Sequence, residues 1–190
     1  MIITIHRGSN EIGGSCVEIE GNAGTKILVD IGLPLAESAA RTLCLPKNLA
    51  GVLISHAHQD HYGLLSLLAA ETPLYISQPT HKLIEITGWF SKKPFVPKTV
   101  IPFHSQTPFA CGEFRITPYL VDHSAFDAHA FLIEDAKTRI FYSGDFRGHG
   151  RKDSLLERFV AHPPLPVDAL LLEGTTLNRN TRDFPSESQL

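Results

Sequence analysis

The sequence predicts a mixed α/β fold, and three observations lead to that class. Several short segments alternate apolar and polar residues, which is the period of a β-strand with one buried face. Other apolar runs have the pattern of strands buried on both faces, and segments rich in helix-forming residues follow them. Polar turns follow the apolar strands, which is where α/β proteins tend to place their chemistry.

The first half of the chain is predicted to consist mainly of strands. MIITIHR and SCVEIEG alternate in polarity, KILVDIG is a short apolar strand ending on Asp30, and LAGVLIS is a continuous apolar run. Between the last two, LAESAARTLC is predicted as a brief helix that Pro46 stops. The turn ISHAHQDHYG then leads into YGLLSLLAAE, whose composition favours a helix.

The second half is predicted to alternate strands and helices. PLYIS is a short strand and PTHKLIEITGWF a helix, whereas residues 91–110 are rich in proline and are predicted to be mostly loop. EFRITPYLVDH is a strand, HAFLIEDAKTRIFYSGDF a hairpin that ends at Asp145, and DSLLERFVA a helix. VDALLLEGT is predicted to be a buried strand.

Composition indicates a globular protein with an excess of histidine. Hydrophobic residues make up 43% of the chain and charged residues 19%, which argues against disorder. The formal net charge of −3 neither supports nor excludes a nucleic-acid substrate. Ten histidines, against one tryptophan and one methionine, indicate a metal-binding or proton-transfer site.

The cysteines and the apolar segments favour a cytoplasmic protein. Cys16, Cys44 and Cys111 are far apart and form no CxxC pair, so we expect buried thiols in a reducing compartment. The N-terminal residues lack the pattern of a signal peptide. No apolar run approaches the roughly 20 residues of a membrane span, so no membrane association is expected.

Four polar clusters follow apolar strands and are expected to meet at one edge of a sheet. They are Asp30, the turn from His56 to His61, the pair Asp122-His123, and Asp145. Imidazole nitrogen and carboxylate oxygen are ligands of divalent metals such as zinc, and two neighbouring metals need a bridging group. A solvated polar turn would also explain HAHQDH, but its spacing and the three further clusters favour a metal site.

The order of these motifs resembles the metallo-β-lactamase superfamily. HAHQDH matches the HxHxDH signature of that superfamily, while VDIG, DHS and SGDFR resemble its other N-terminal motifs. The resemblance implies a four-layer αββα sandwich, of which this chain would hold the first half and the start of the second.

The same resemblance implies a site with two divalent metal ions, most simply zinc, with manganese as the alternative. The first metal would be bound by His56, His58 and His123. Asp60 and His61 would bind the second metal, and Asp145 would bridge the two. Asp30 would orient the histidine loop. A metal-bound hydroxide would attack the substrate, with Asp60 positioning it.

Finer features resemble one branch, the β-CASP ribonucleases, which include ribonuclease J and the mRNA 3′-end endonucleases. GSNEIGGSCVEIE and EGTT carry this resemblance, and Glu173 would be the first of the additional β-CASP motifs. The implied activity is hydrolysis of RNA phosphodiesters. Arg147 is a candidate phosphate contact, because guanidinium recognises phosphate oxygens well. Ser124 is expected either to bind a substrate phosphate or to complete the turn.

One departure from the family pattern bears on the domain interpretation. The family completes its second metal site with a late histidine, which in β-CASP enzymes follows an inserted cap domain. We therefore interpret residues 1–178 as the N-terminal portion of a metallo-β-lactamase-like domain with an incomplete second site. Residues 179–190 are interpreted as a polar tail, the start of a missing cap insertion. Two alternatives stay open: hydrolysis of a small ester, thioester or lactone, and a catalytically silent metal-binding scaffold.

Overall fold

Within the part of the chain that the structure describes, six strands form the first sheet, in the order of the sequence. The computed structural model describes residues 1–35, 43–92, 97, 99–177, 185–187 and 189. The strands are β1 (Ile2–Arg7), β2 (Cys16–Glu20), β3 (Lys26–Val29), β4 (Leu49–Leu53), β5 (Leu74–Ser77) and β6 (Val100–Phe103). β1, β2 and β3 pair antiparallel, whereas β3 to β6 pair parallel. The parallel part therefore directs the C-terminal ends of β3 and β4 to the same edge of the sheet.

The second sheet has five strands among the described residues, in the order β11-β10-β9-β8-β7. They are β7 (Phe109–Cys111), β8 (Phe114–Leu120), β9 (His129–Glu134), β10 (Arg139–Tyr142) and β11 (Ala169–Leu171). β7 to β10 form antiparallel pairs, and β11 joins β10 in parallel. The parallel pair places the loops that follow β10 and β11 side by side.

Three α-helices lie outside the sheets within the described residues: α1 (Gln59–Tyr62), α2 (Gln78–Phe90) and α3 (Asp153–Ala161). α2 starts where expected, because the Ser77 hydroxyl accepts a hydrogen bond from the Thr80 backbone N–H and Pro79 occupies the first turn. None of the described helices has the length and apolar content needed to span a membrane.

The core has the layer order helix, sheet, sheet, helix. Val17 and Ile27 of the first sheet pack against Phe114 and Phe131 of the second in a single buried cluster. The outer face of the first sheet packs on Leu65 and on Ile84 of α2. The outer face of the second sheet packs on Phe159 of α3, whose ring centroid lies 5.1 Å from that of Phe141. The predicted αββα sandwich is confirmed.

Most predicted elements are present, and the proline-rich segment contains in addition strand residues that the sequence does not predict. Residues 91–110 contain β6 and the first part of β7. Pro102 is tolerated in β6 because this strand pairs only with β5 and forms the edge of the sheet. The side of β6 that faces away from β5 has no partner strand, so the missing backbone N–H of Pro102 costs no hydrogen bond there.

The prediction of a helix over YGLLSLLAAE is wrong. α1 ends at Tyr62, and only a short 3₁₀ turn, Leu65–Leu67, follows it. The backbone N–H of Leu64 donates to the Ile31 carbonyl, 3.0 Å away, and not to the preceding turn. The segment is therefore held by the end of β3 instead of continuing as a helix.

Three smaller expectations have different outcomes. Cys44 is exposed, although Cys16 and Cys111 are buried as expected. β11 is not fully buried, since Leu170 is 56% exposed at the edge of its sheet. The helix predicted over LAESAARTLC lies mostly outside the described residues.

Candidate metal centre

The candidate metal centre lies where loops from both sheets meet. Asp30 and the turn His56–His61 follow β3 and β4 of the first sheet, while His123 and Asp145 follow β8 and β10 of the second. The expectation that all four clusters meet at the edge of one sheet is therefore wrong. The Ser55 carbonyl accepts a hydrogen bond from the His129 backbone N–H (3.0 Å), which ties the histidine turn directly to the second sheet.

A glycine-rich loop fixes the backbone of Asp60. The Ser15 N–H donates to the Asp60 carbonyl (2.9 Å), and the Gly32 N–H donates to the Ser15 carbonyl (2.9 Å). A Cβ atom at Gly32 would overlap the Asp60 carbonyl, and one at Gly13 would lie 3.0 Å from the Asp60 carboxylate. A glycine is required at position 32 because backbone packs directly on backbone there.

Three histidine nitrogens converge in the first group of candidate ligands. Nδ1 of His58 lies 3.2 Å from Nε2 of His56 and 3.2 Å from Nε2 of His123. The ligand atoms of the group lie within 4.8 Å of one another. Three imidazole nitrogens directed at one point match the donor set that divalent zinc, copper or nickel prefers.

A second group consists of His56, His61 and Asp145. Nε2 of His61 lies 3.4 Å from Oδ2 of Asp145 and 3.9 Å from Oδ2 of Asp60. Nε2 of His123 lies 4.0 Å from the same Asp145 oxygen. His56 belongs to both groups and Asp145 lies near ligand atoms of both, so the two groups form one continuous cluster.

Asp30 and Ser55 determine which ring nitrogens face the cluster. Asp30 is fully buried, and its Oδ2 accepts from Nδ1–H of His61 (2.7 Å) and from the Ser55 hydroxyl (2.8 Å). With its own proton directed to Asp30, Oγ of Ser55 accepts from Nδ1–H of His56 at 3.0 Å. In both histidines the proton on Nδ1 leaves the lone pair of Nε2 directed into the cluster.

The geometry leaves one ring nitrogen with its bonding capacity unused. Nε2 of His61 is buried and makes no hydrogen bond of good geometry to any described residue. An unpaired buried polar atom is costly, and a metal ion at this position would satisfy it. The residues present therefore fit a divalent cation.

The protonation states of the histidines differ because their neighbours differ. Burial, reinforced by the adjacent histidines, lowers the pKa of His56 far below its usual range. Burial also lowers the pKa of His123 to about 4, although Asp145 opposes the shift. His56 and His123 are thus neutral at pH 7, which is the form that binds metal.

His61 and Asp145 show the opposite tendency. Burial disfavours the charged imidazolium of His61, but Asp30 and Asp145 outweigh it and raise the pKa to about 10. Burial raises the pKa of Asp145, yet the nearby His61 imidazole and its charge hold that pKa below its usual range. A cation on Nε2 of His61 would replace the proton that these carboxylates otherwise favour.

The remaining predicted residues lie around this cluster. Glu173 follows β11, and its carboxylate accepts from the backbone N–H of Phe146 (3.3 Å) next to Asp145. Arg147 is paired with Asp122 (3.4 Å) and with Glu187 (2.7 Å), a residue of the predicted tail. Ser124 is exposed beside His123. The structure thus gathers the histidines, Asp60 and Asp145, whereas Arg147 already has carboxylate partners.

Ser55 and Tyr142 both contact Asp30, although neither is a predicted site residue. The Tyr142 hydroxyl donates to Oδ2 of Asp30 at 2.7 Å. The only signal for Ser55 is its position directly before His56, and for Tyr142 its position three residues before Asp145. Neither signal distinguishes these residues from ordinary strand residues.

An open cleft of about 1130 Å³ gives access to the cluster. Asp60, His61 and Asp145 line its floor. The glycine-rich loop between β1 and β2 forms one wall, and residues at the end of β11, including Glu173, form the other. The candidate centre is therefore reachable by a large substrate.

The fold and the site together define a class: an αββα sandwich with a cluster of histidines and carboxylates where loops from its two sheets meet. The model of the β-lactamase superfamily domain matches residues 25–186. The chain belongs to that superfamily. The structure of the metallo-β-lactamase fold protein YhfI from Bacillus subtilis is similar, with a TM-score of 0.59 and 20% identity over 88% of this chain and 69% of that one.

Two relatives carry ribonuclease names. Ribonuclease J of Helicobacter pylori strain 26695 is 29% identical over 99% of this chain and 30% of its own length. The RNase J-like protein of Methanocaldococcus jannaschii is 32% identical over 92% of this chain and 42% of its own length. The chain therefore spans less than half the length of both relatives.

Replacing Asp30 by asparagine is expected to weaken metal binding. The amide would present a donor group to a site where the carboxylate accepts from Ser55, His61 and Tyr142. Loss of a group that orients metal ligands typically reduces affinity roughly 10- to 100-fold. Titration with a chromophoric zinc chelator measures this change. An affinity equal to that of the unmodified chain would contradict the role of Asp30.

Proposed function

We propose that this protein is a metal-dependent hydrolase that cleaves RNA phosphodiester bonds, as a ribonuclease J-like enzyme. The observation that carries the proposal is the convergence of two overlapping ligand groups, of which His61 and Asp145 line an open cleft. The names of the relatives from Helicobacter and Methanocaldococcus support RNA as the substrate class.

Two divalent metal ions, most simply zinc, fit the proposed centre. His56, His58 and His123 would hold the first ion, and His61 with Asp60 the second, with Asp145 between them. Nitrogen-rich ligands favour zinc, and manganese is the alternative. When bound, such ions supply activation of water and stabilisation of negative charge on a phosphoryl group.

The protein residues contribute position and proton transfer. Asp60 is fixed by the glycine-rich loop, and its carboxylate faces the cleft 3.9 Å from Nε2 of His61. A partly exposed carboxylate in this position can orient a water molecule and accept its proton. The Asp30 carboxylate keeps Nδ1 of His61 occupied, so that Nε2 stays directed at the reacting region.

The volume of the cleft supports a polymer as the substrate. This volume of about 1130 Å³ exceeds the usual range of small-molecule pockets, roughly 300–1,000 Å³. Ser9 and Asn10 in the glycine-rich wall provide hydrogen-bonding groups along it. These features favour an RNA strand over a small ester, thioester or lactone. A cytoplasmic location stays a prediction.

The proposal is tested by incubating the zinc-loaded chain with a labelled single-stranded RNA, with the DNA of the same sequence, and with a panel of small esters and lactones. We expect RNA cleavage that EDTA abolishes and that Asp60→Asn reduces at least 100-fold, the scale on which general acid–base groups act. The Asp60→Asn variant keeps the backbone contacts of the loop, and its metal content shows whether a loss of cleavage comes from a missing ion or from the missing carboxylate.

Each contrary outcome has a separate meaning. Hydrolysis of an ester or lactone without cleavage of RNA would replace the proposal by the small-molecule activity. Bound metal without hydrolysis of any of the compounds would indicate a silent metal-binding scaffold. Cleavage that persists in EDTA would contradict the metal-dependent mechanism.

A further inference from the structure

A tyrosine from the second sheet completes the surroundings of Asp30. Tyr142 is the last residue of β10, and its ring belongs to the buried cluster between the two sheets. Its hydroxyl donates to Oδ2 of Asp30 at 2.7 Å, although Asp30 follows β3 of the opposite sheet. This hydrogen bond therefore spans the interface between the two sheets.

The Asp30 carboxylate is held from four directions. Oδ1 accepts from the Ser55 backbone N–H at 2.8 Å. Oδ2 accepts from the Ser55 hydroxyl (2.8 Å), from Nδ1–H of His61 (2.7 Å) and from Tyr142. The three other donors come from the turn that Asp30 itself orients. Among these partners, only Tyr142 belongs to the second sheet, so it alone fixes Asp30 relative to that sheet.

The backbone conformation of Asp30 is a second reason why this residue needs to be held by its neighbours. Asp30 has φ of 60°, in the left-handed region that a non-glycine residue occupies only when its surroundings determine it. The conformation turns the chain at the end of β3 and leaves the carboxylate fully buried. Short hydrogen bonds in a buried site are the interactions that can hold it there.

The position of Tyr142 in the sequence links this bond to the second ligand group. Asp145 lies three residues after Tyr142, on the loop that β10 carries, and its Oδ2 is 3.4 Å from Nε2 of His61. The two hydrogen bonds from Tyr142 to Asp30 and from His61 to Asp30 thus connect β10, which precedes Asp145, with the imidazole that faces Asp145. A shift between the two sheets would change the distance between these two ligand atoms.

We propose that Tyr142 is a positioning residue whose hydroxyl holds the Asp30 carboxylate, and through it the His61 imidazole, against Asp145. The inference rests on the proposed metal centre and adds a residue to it. The affected metal position is the one that includes His61. Among the described residues no hydrogen bond joins Tyr142 to His56, His58 or His123, so we expect that group to retain its affinity.

The test uses Tyr142→Phe, which removes the hydroxyl and keeps the buried ring. Tyr75→Phe is the matched control, because Tyr75 is 7% exposed and Tyr142 8%, and both belong to the same core cluster. Tyr75 stacks on Phe109 (5.1 Å between ring centroids) and not on the metal centre. General effects of losing a buried hydroxyl therefore appear in both variants.

The first readout needs no metal. Nitrogen-15 NMR of the metal-free chain reports the tautomer and the Nδ1–H hydrogen bond of His61. We expect this signal to shift or broaden in Tyr142→Phe and to stay unchanged in Tyr75→Phe. An unchanged signal in Tyr142→Phe, or the same change in both variants, would overturn the inference.

The second readout separates this inference from the proposed function. Zinc titration should show the position of His61 weakened about tenfold in Tyr142→Phe, the lower end of the effect of groups that orient ligands, with the other position unchanged. Equal weakening of both positions would overturn the inference. If NMR changes as expected but the unmodified chain binds no second ion, the positioning of His61 stands and the two-metal centre fails.

Discussion

The His58→Ala variant is expected to lose the metal ion of the three-histidine group and to retain the other. Nδ1 of His58 is the central atom of that group, 3.2 Å from Nε2 of both His56 and His123. Without it, two nitrogens remain, fewer than the three protein ligands that catalytic zinc sites use. The loss in affinity should exceed the roughly 10- to 100-fold effect of removing a group that only orients ligands. Metal per chain, measured by elemental mass spectrometry after gel filtration, should fall from about two equivalents to about one.

Two further variants make this measurement decisive. His56 belongs with His58 to the proposed first metal position, so His56→Ala should lose the same ion as His58→Ala and retain the other. His104 is exposed and lies in neither group, so His104→Ala should leave the metal content unchanged. Equal metal content in His58→Ala and in the unmodified chain would show that HAHQDH is not a metal site. A deficit in His104→Ala of the same size would point to nonspecific binding by surface histidines.

The local part of the site could be predicted from the sequence because neighbouring residues determine it. His56, His58 and His61 follow one apolar strand, so their spacing places them on the same turn whatever the rest of the fold. Asp30 and Asp145 were recognised by the same reasoning, since each follows an apolar segment. The fold class followed from the periods of those segments.

The features of the site and the fold that the sequence does not predict depend on contacts between residues far apart in the chain. Tyr142 reaches Asp30 across 112 residues of sequence, and no local pattern indicates that bond. Leu64 donates to Ile31 in place of continuing a helix, a tertiary contact that overrides helix propensity. Pro102 looked like a loop residue because its place on an edge strand is defined by strand order alone. The division of the site between two sheets has the same origin.

Replacing Gly32 by alanine is expected to cause the largest loss of stability. A Cβ atom at this position would overlap the Asp60 carbonyl and lie 2.7 Å from the Ser15 nitrogen. All of these are backbone atoms, so no side-chain rotation can relieve the contact. Overpacking in a well-packed interior costs roughly 1–3 kcal/mol and occasionally more, and we expect the upper end, about 3 kcal/mol. Urea unfolding followed by circular dichroism measures the free energy of unfolding.

The same substitution should also disturb the metal centre, because relief of the overlap requires the Ser15–Asp60 hydrogen bond (2.9 Å) to lengthen. Gly148→Ala is the matched control. Gly148 is exposed, and a Cβ atom there would meet only Cδ2 of Leu156 (2.6 Å), the mobile end of a flexible side chain. Its effect should stay within about 0.5 kcal/mol, as for most surface substitutions. If the two alanine variants unfold at the same urea concentration, the close packing of Gly32 on the backbone of Asp60 and Ser15 does not have the expected effect on stability.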